Sequence, residues 1–218
     1  IGIMMLRRRG VYFALMTLAL SALTFSISFR WTAVTGGEDG LGGFDRSSLL
    51  PFDFSDNMTY YWFVAAIGFL TLFFLMRVVN SPFGHVLVAI RENQERATFQ
   101  GYDVQRYKLA VFVLSSMVTA LAGTLSGFQH YIVTSESTSV EMSGELLAMV
   151  VIGGMRGNIL GPAIGVIFYT LFREWLSIWT HDWLFYFGLI FCAFVMYSPG
   201  GLVGIWGQIQ RRLKPLPE

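Results

Sequence analysis

Three stretches of this chain, residues 11–29, 60–76 and 109–128, are each predominantly apolar over about 17 to 20 residues. At 1.5 Å per residue a helix of that length crosses a hydrocarbon core of roughly 30 Å. Lipid offers no partner for backbone amides, so such segments satisfy them internally, as helices. Residues 159–176 and 183–197 are two further candidates. With 54% apolar, 16% aromatic and 13% charged residues, the chain departs from soluble usage. The predicted fold class is therefore all-α, a polytopic transmembrane helical bundle forming a single transmembrane domain over residues 1–218.

Between two of these spans, residues 81–108 (SPFGHVLVAIRENQERATFQGYDVQRYK) are polar and basic. Ser81 is suited to cap a helix and Pro82 to its first turn, while Gly101 is placed to end it. Phe83, Val86, Leu87, Ile90 and Ala97 recur at helical spacing, which predicts an amphipathic helix over 81–100 whose apolar face is covered by a partner. Such a face fits a helix-in-groove mode, with Arg91, Glu92 and Glu95 making polar contacts around it. The competing reading is a helix lying on lipid headgroups, but Glu92, Asn93, Gln94 and Glu95 dilute the basic face that such a helix prefers.

Net charge is only +1, which gives no case for nucleic-acid binding, yet the charges are sorted along the chain. If Arg7, Arg8 and Arg9 are cytoplasmic and the helices alternate, 12 basic residues fall inside and only Arg30, Arg46 and Arg173 outside. Residues 30–59, with Glu38, Asp39, Asp45, Asp53 and Asp56, are then external. Thr35, Gly36 and Gly37 begin a glycine-rich stretch there that permits tight or re-entrant backbone.

Residues 143–155 (SGELLAMVVIGGM) span only roughly 20 Å as a helix. They either merge with 159–176 into one broken helix or form a separate short segment turning at 156–158. The second choice keeps the C-terminal Arg211, Arg212 and Lys214 inside, giving about six membrane segments with both ends cytoplasmic. Gly153, Gly157, Gly161 and Gly165 fall four apart across that turn, and Gly123 and Gly127 repeat the interval. Small residues so spaced let helix backbones approach closely in lipid, and they compete with a direct role in a translocation pathway. Gly153 and Gly154 with Pro162 mark a helix break of the kind tolerated where protein or a water-filled cavity shields it.

Glu136, Glu141 and Glu145 precede or enter the short helix. An ionisable group near membrane depth is a functional candidate, Glu145 foremost, although an acidic residue near a helix N-terminus is also favoured by the dipole. Cys192 is the only cysteine and lies in an apolar span, so neither a disulfide framework nor a thiolate metal site is available. His85, His130 and His181 lack metal-ligand spacing. No G-x-x-x-x-G-K-[ST] occurs, and Lys108 and Lys214 are the only lysines, so no Walker loop binds ATP here. A secondary transporter or channel would want an intramembrane ion pair or ionisable ring, and an intramembrane enzyme a nucleophile with a base. The long spans show neither. The chain starts Ile-Gly-Ile with no initiator Met or recognisable signal peptide, and is expected to lack an N-terminal part.

Seven pieces in order carry a resemblance: RRRGVYFALMTLA (7–19), TGGEDGL (35–41), SPFGHVLVAIRENQERA (81–97), GYDVQRYKLAVFVLSS (101–116), LAGTLSG (121–127), SGELLAMVVIGGMRGNILGP (143–162) and SPGGLVGI (198–205). Together they resemble the permease subunits of branched-chain amino-acid ABC importers, LivM-type, over nearly the whole chain. His85 stands where that family usually has Arg. The resemblance implies a non-enzymatic transport subunit of a bacterial inner membrane. It would work with a second permease subunit, two cytoplasmic ATPase subunits that bind ATP and Mg, and an external solute-binding protein. Residues 81–108 would be the ATPase-coupling segment, and additional helices would precede the chain. Relatives in the same superfamily carry sugars or urea, which leaves those solutes as the alternative.

Overall fold

The computed structural model describes residues 10–43, 54–154, 161–179 and 183–197, together with Gly2 and Gly201. The described chain is helical apart from a two-stranded ribbon and short turns, an all-α polytopic membrane architecture. It divides into two compact units, Ile1–Ser139 and Val140–Glu218.

In the first unit, α1 (Val11–Arg30), α3 (Asn57–Val79) and α6 (Val104–His130) are long and apolar enough to cross a membrane. α1 exceeds its predicted span by one residue, whereas α3 and α6 extend theirs at both ends and start from side-chain caps beyond the apolar run. Asp56 accepts from the Thr59 amide at the start of α3, and Asp103 from the Arg106 amide at the start of α6. These helices are apolar nearly all round and mostly exposed, Phe69 and Leu70 included. Water would not tolerate such surfaces, so lipid or other subunits must solvate them. α1 has no buried residue and α3 only Tyr60, whose hydroxyl donates to the Leu125 carbonyl of α6 at 2.7 Å.

The connections at the two ends of α6 differ. Beyond its C-terminus, β2 (Ile132–Val133) pairs antiparallel with β1 (Leu41–Gly42), Leu41 opposite Val133. A 3-10 turn, Ser135–Thr138, follows, and the buried Ser135 hydroxyl donates to the Gly37 carbonyl at 2.8 Å. The glycine-rich loop after the short helix α2 (Thr32–Thr35) is thereby folded onto the chain leaving α6. At the other end of α6, the polar segment forms α4 (Pro82–Glu92) and α5 (Gln94–Phe99).

In the second unit, α7 (Val140–Gly153), α8 (Gly161–Trp179) and α9 (Trp183–Tyr197) pack around Ala148, Ile152, Tyr169 and Phe187. At 14 residues α7 is roughly 21 Å long, short of a full crossing as its sequence requires. The turn at 156–158, including Gly157, lies outside the described residues, as do Arg7, Arg8, Arg9, Arg46, Arg156, Arg211, Arg212, Lys214 and His181.

Candidate functional site

Residues 81–108 do not form the single helix expected over 81–100. The helix breaks at Asn93, which is extended at φ −153° and ψ 102°. Its side chain accepts from the Arg96 amide at 3.0 Å and starts α5, while its own amide still closes α4 on the Ala89 carbonyl. Asparagine offers the backbone this alternative to a continuous helix. The break has a geometric consequence. In an unbroken helix Ile90 and Ala97 would stand about 10 Å apart along the axis, but here they meet. Ile90, Ala97 and Val104 form one buried cluster, with Val86 and Tyr107 packed against it.

Both ends of this hairpin are tied. Only Asn80 and Ser81 separate α3 from α4. The Ser81 hydroxyl donates to the Val78 carbonyl at 2.6 Å and accepts from the Gly84 amide at 3.4 Å, with Pro82 in the first turn. Gly84 backs directly onto the Val79 carbonyl, where a Cβ would collide, so α4 leaves α3 in one direction. At the far end, Gly101 takes φ +89°. The amides of Gly101 and Tyr102 then bond the Thr98 and Ala97 carbonyls, a Schellman ending that turns the chain into α6. Lys108 donates to the Gln94 side chain at 2.9 Å, and Phe83 stacks on Tyr107 with centroids 5.5 Å apart.

The apolar stripe expected to await a partner is therefore turned into the chain itself. Ile90 is buried, and Phe83, Val86 and Leu87 are half-buried. What remains open is the other side: Val88, Arg91, Glu92, Glu95, Arg96 and, at the end of α5, Phe99. Phe99 is 91% exposed, which no membrane span explains within this polar segment. Sequence periodicity missed it because a straight helix was assumed. The break at Asn93 was the available signal.

The other predicted positions fall in separate places. Thr35 ends α2, its hydroxyl reaching the Trp31 carbonyl at 2.8 Å, with Gly36 and Gly37 following in left-handed turns. Gly127 is buried, and a Cβ there would come within 2.8 Å of Val133. Gly123 faces open space among the described residues. In the second unit, Gly153, Gly161 and Gly165 do meet. A Cβ on Gly153 would collide with the Gly161 carbonyl, and one on Gly165 with the Met149 carbonyl and the Gly153 backbone. Gly154 is left-handed at φ +106°, and Pro162 occupies the first turn of α8. Glu145 is half-buried on α7. Among the described residues, no three His, Cys, Asp or Glu side chains come together as metal ligands would.

Comparison with known proteins gives the chain's relatives. A probable branched-chain amino acid transport permease protein LivM of Methanocaldococcus jannaschii is 28% identical over 88% of this chain and 59% of its own length. The high-affinity branched-chain amino acid transport system permease protein LivM of Escherichia coli is 27% identical over 93% of this chain and 53% of its own. A ribose import permease protein, RbsC of Bacillus subtilis, is 33% identical over 48% of this chain and 34% of its own length. The chain thus spans about half the length of the LivM relatives it matches. No solved structure matches. The family model for the branched-chain amino acid transport system permease component matches residues 1–197, and the chain belongs to that family.

Proposed function

We propose that the chain is a transmembrane permease subunit of an ATP-binding-cassette importer for branched-chain amino acids. A second permease subunit completes the pathway, an external solute-binding protein delivers the solute, and two cytoplasmic ATPase subunits supply ATP and Mg chemistry. Residues 81–108 couple the two machines, and both ends of the chain are cytoplasmic in a bacterial inner membrane, as the sorting of basic residues suggests. The observation that carries the coupling role is Phe99. A bare phenylalanine amid Arg91, Glu92, Glu95 and Arg96, on a hairpin braced by its own core, has the character of an anchor entering a partner's pocket. Bracing matters because closure of an ATPase is transmitted only through an element that does not deform. Ile90, Ala97 and Val104 supply that stiffness, and the Ser81–Gly84 turn passes the push to α3.

The test is a single cysteine at Phe99 in a Cys192→Ala background. An impermeant thiol reagent should label it in inside-out vesicles stripped of ATPase subunits, and neither right-side-out vesicles nor the assembled complex should react. Labelling from the outside sinks the topology; equal labelling with and without the ATPase subunits sinks the docking role. The sugar-importer reading keeps one supporting observation, the ribose permease at 33% identity over about half of this chain. Uptake of ribose with no uptake of leucine by the reconstituted importer would favour it.

A further inference from the structure

The glycine contacts give the register of α7 against α8. Gly153 meets Gly161 and Met149 meets Gly165, so the two helices run antiparallel. One more turn away from the break, in each helix, brings Glu145 opposite Tyr169, and the next brings Glu141 opposite Arg173. The charged groups acting on the Tyr169 hydroxyl, Glu145 and then Arg173, agree with that register.

Tyr169 is only 1% exposed, with its ring edge-on to Phe187 at 4.9 Å. Its hydroxyl lies towards the Glu145 carboxylate, but the approach falls short of full hydrogen-bond geometry and no better partner stands among the described residues. A buried hydroxyl so poorly partnered is destabilising, and lipid offers no water to complete its bonding. Phenylalanine would pack the same ring without that penalty. Nor is Tyr169 an interfacial anchor, since it is the ninth of nineteen residues in α8. Glu145 is half-buried in a short helix that is apolar from Leu146 onwards, where an ionisable group is functional by default. The pair offers a negative charge and a fixed phenolic oxygen side by side. The complement to that set is a compact cation with several N–H donors, a primary ammonium. A neutral sugar brings no charge to meet the carboxylate.

Resting on the amino-acid importer reading above, we propose that Glu145 and Tyr169 form a way-station for the α-ammonium group of the passing amino acid. Glu145 balances its charge, and the Tyr169 oxygen accepts one of its N–H bonds. No bond is made or broken. The site lowers the barrier to moving a desolvated cation through a low-dielectric passage, and holds it weakly enough to release it.

The assembled importer in proteoliposomes, supplied with its binding protein and leucine, tests this with three substitutions. Glu145→Gln keeps the shape and removes the charge. It should cut the maximal uptake rate roughly 10- to 100-fold while the ATPase subunits stay bound. Glu145→Asp, which retains the charge, should recover a substantial part of the rate. Tyr169→Phe should slow uptake roughly 3- to 10-fold, with the thermal midpoint of the complex unchanged or raised. Uptake by Glu145→Gln within twofold of the unsubstituted complex overturns the proposal. So does a Tyr169→Phe complex whose uptake and thermal midpoint fall together, because the hydroxyl would then be structural. Absence of leucine uptake in the unsubstituted importer refutes instead the amino-acid reading on which the proposal stands.

Discussion

Two helical hairpins of similar size occur in this chain, the polar α4–α5–α6 turn and the apolar α7–α8 pair, and they close with different materials. In the first, side chains fill the space between helices: Ile90, Ala97 and Val104 are buried together, with Phe83 stacked on Tyr107. In the second, side chains are removed from the crossing so that backbone meets backbone at Gly153, Gly161 and Gly165. The solvent explains the contrast. A segment facing water gains by hiding apolar side chains. Helices in lipid gain nothing that way and associate through close van der Waals approach, which glycine permits. The polar hairpin is consequently stiffened by bulk, and the apolar hairpin by the absence of bulk.

That contrast breaks first at Ile90. Ile90→Asp puts an unpaired charge into the cluster with Ala97 and Val104, which should destabilise the hairpin by about 3–5 kcal/mol. The purified complex should lose its ATPase subunits and open the segment to proteolysis between α4 and α6. An intact, protease-resistant segment would show that this cluster does not hold the hairpin together.

A smaller effect, but of opposite sign at two positions, sharpens the apolar side. Gly165→Ala adds one methyl against the Met149 and Gly153 backbones and should destabilise by about 1–3 kcal/mol. Gly144→Ala adds the same methyl to α7 where nothing lies within 4 Å, and should stabilise by roughly 0.5–1 kcal/mol through helix propensity. The thermal midpoint of the detergent-solubilised complex should fall for the first and rise for the second. Parallel shifts would mean that the glycine crossing is not the contact that matters. The smallest change belongs to Arg106→Ala. Its 2.8 Å ion pair with Asp103 is exposed and one turn long, and solvent leaves such pairs at about 0–1 kcal/mol. A midpoint shift comparable to that of Gly165→Ala would show that charge also stiffens the polar hairpin.

Much of the architecture was legible in the sequence, because apolar run length and backbone hydrogen-bonding demand are local quantities. The membrane helices, the short α7, the Ser81 and Pro82 start of the polar helix and the Gly101 ending all follow from residue types at fixed spacing. The four-residue glycine series even continues as Tyr169 and Arg173 along the same face of α8. The stripe of Phe83, Val86, Leu87 and Ile90 was legible as a face, but its partner was not. Periodicity tells that a face must be covered without telling by what.

The sequence alone determined that this chain is a helical membrane protein with a structured polar segment between spans. Those properties are set by transfer free energies and propensities that each segment carries with it. Only the tertiary structure decided that Asn93 breaks the polar helix, that Ile90 packs against Ala97 and Val104, and that Phe99 stays bare. It likewise decided that the Tyr169 hydroxyl is buried towards Glu145. These outcomes depend on which distant residues arrive at the same place, and on one asparagine choosing a cap over a continuous turn, a choice worth about 1 kcal/mol that redirects everything after it.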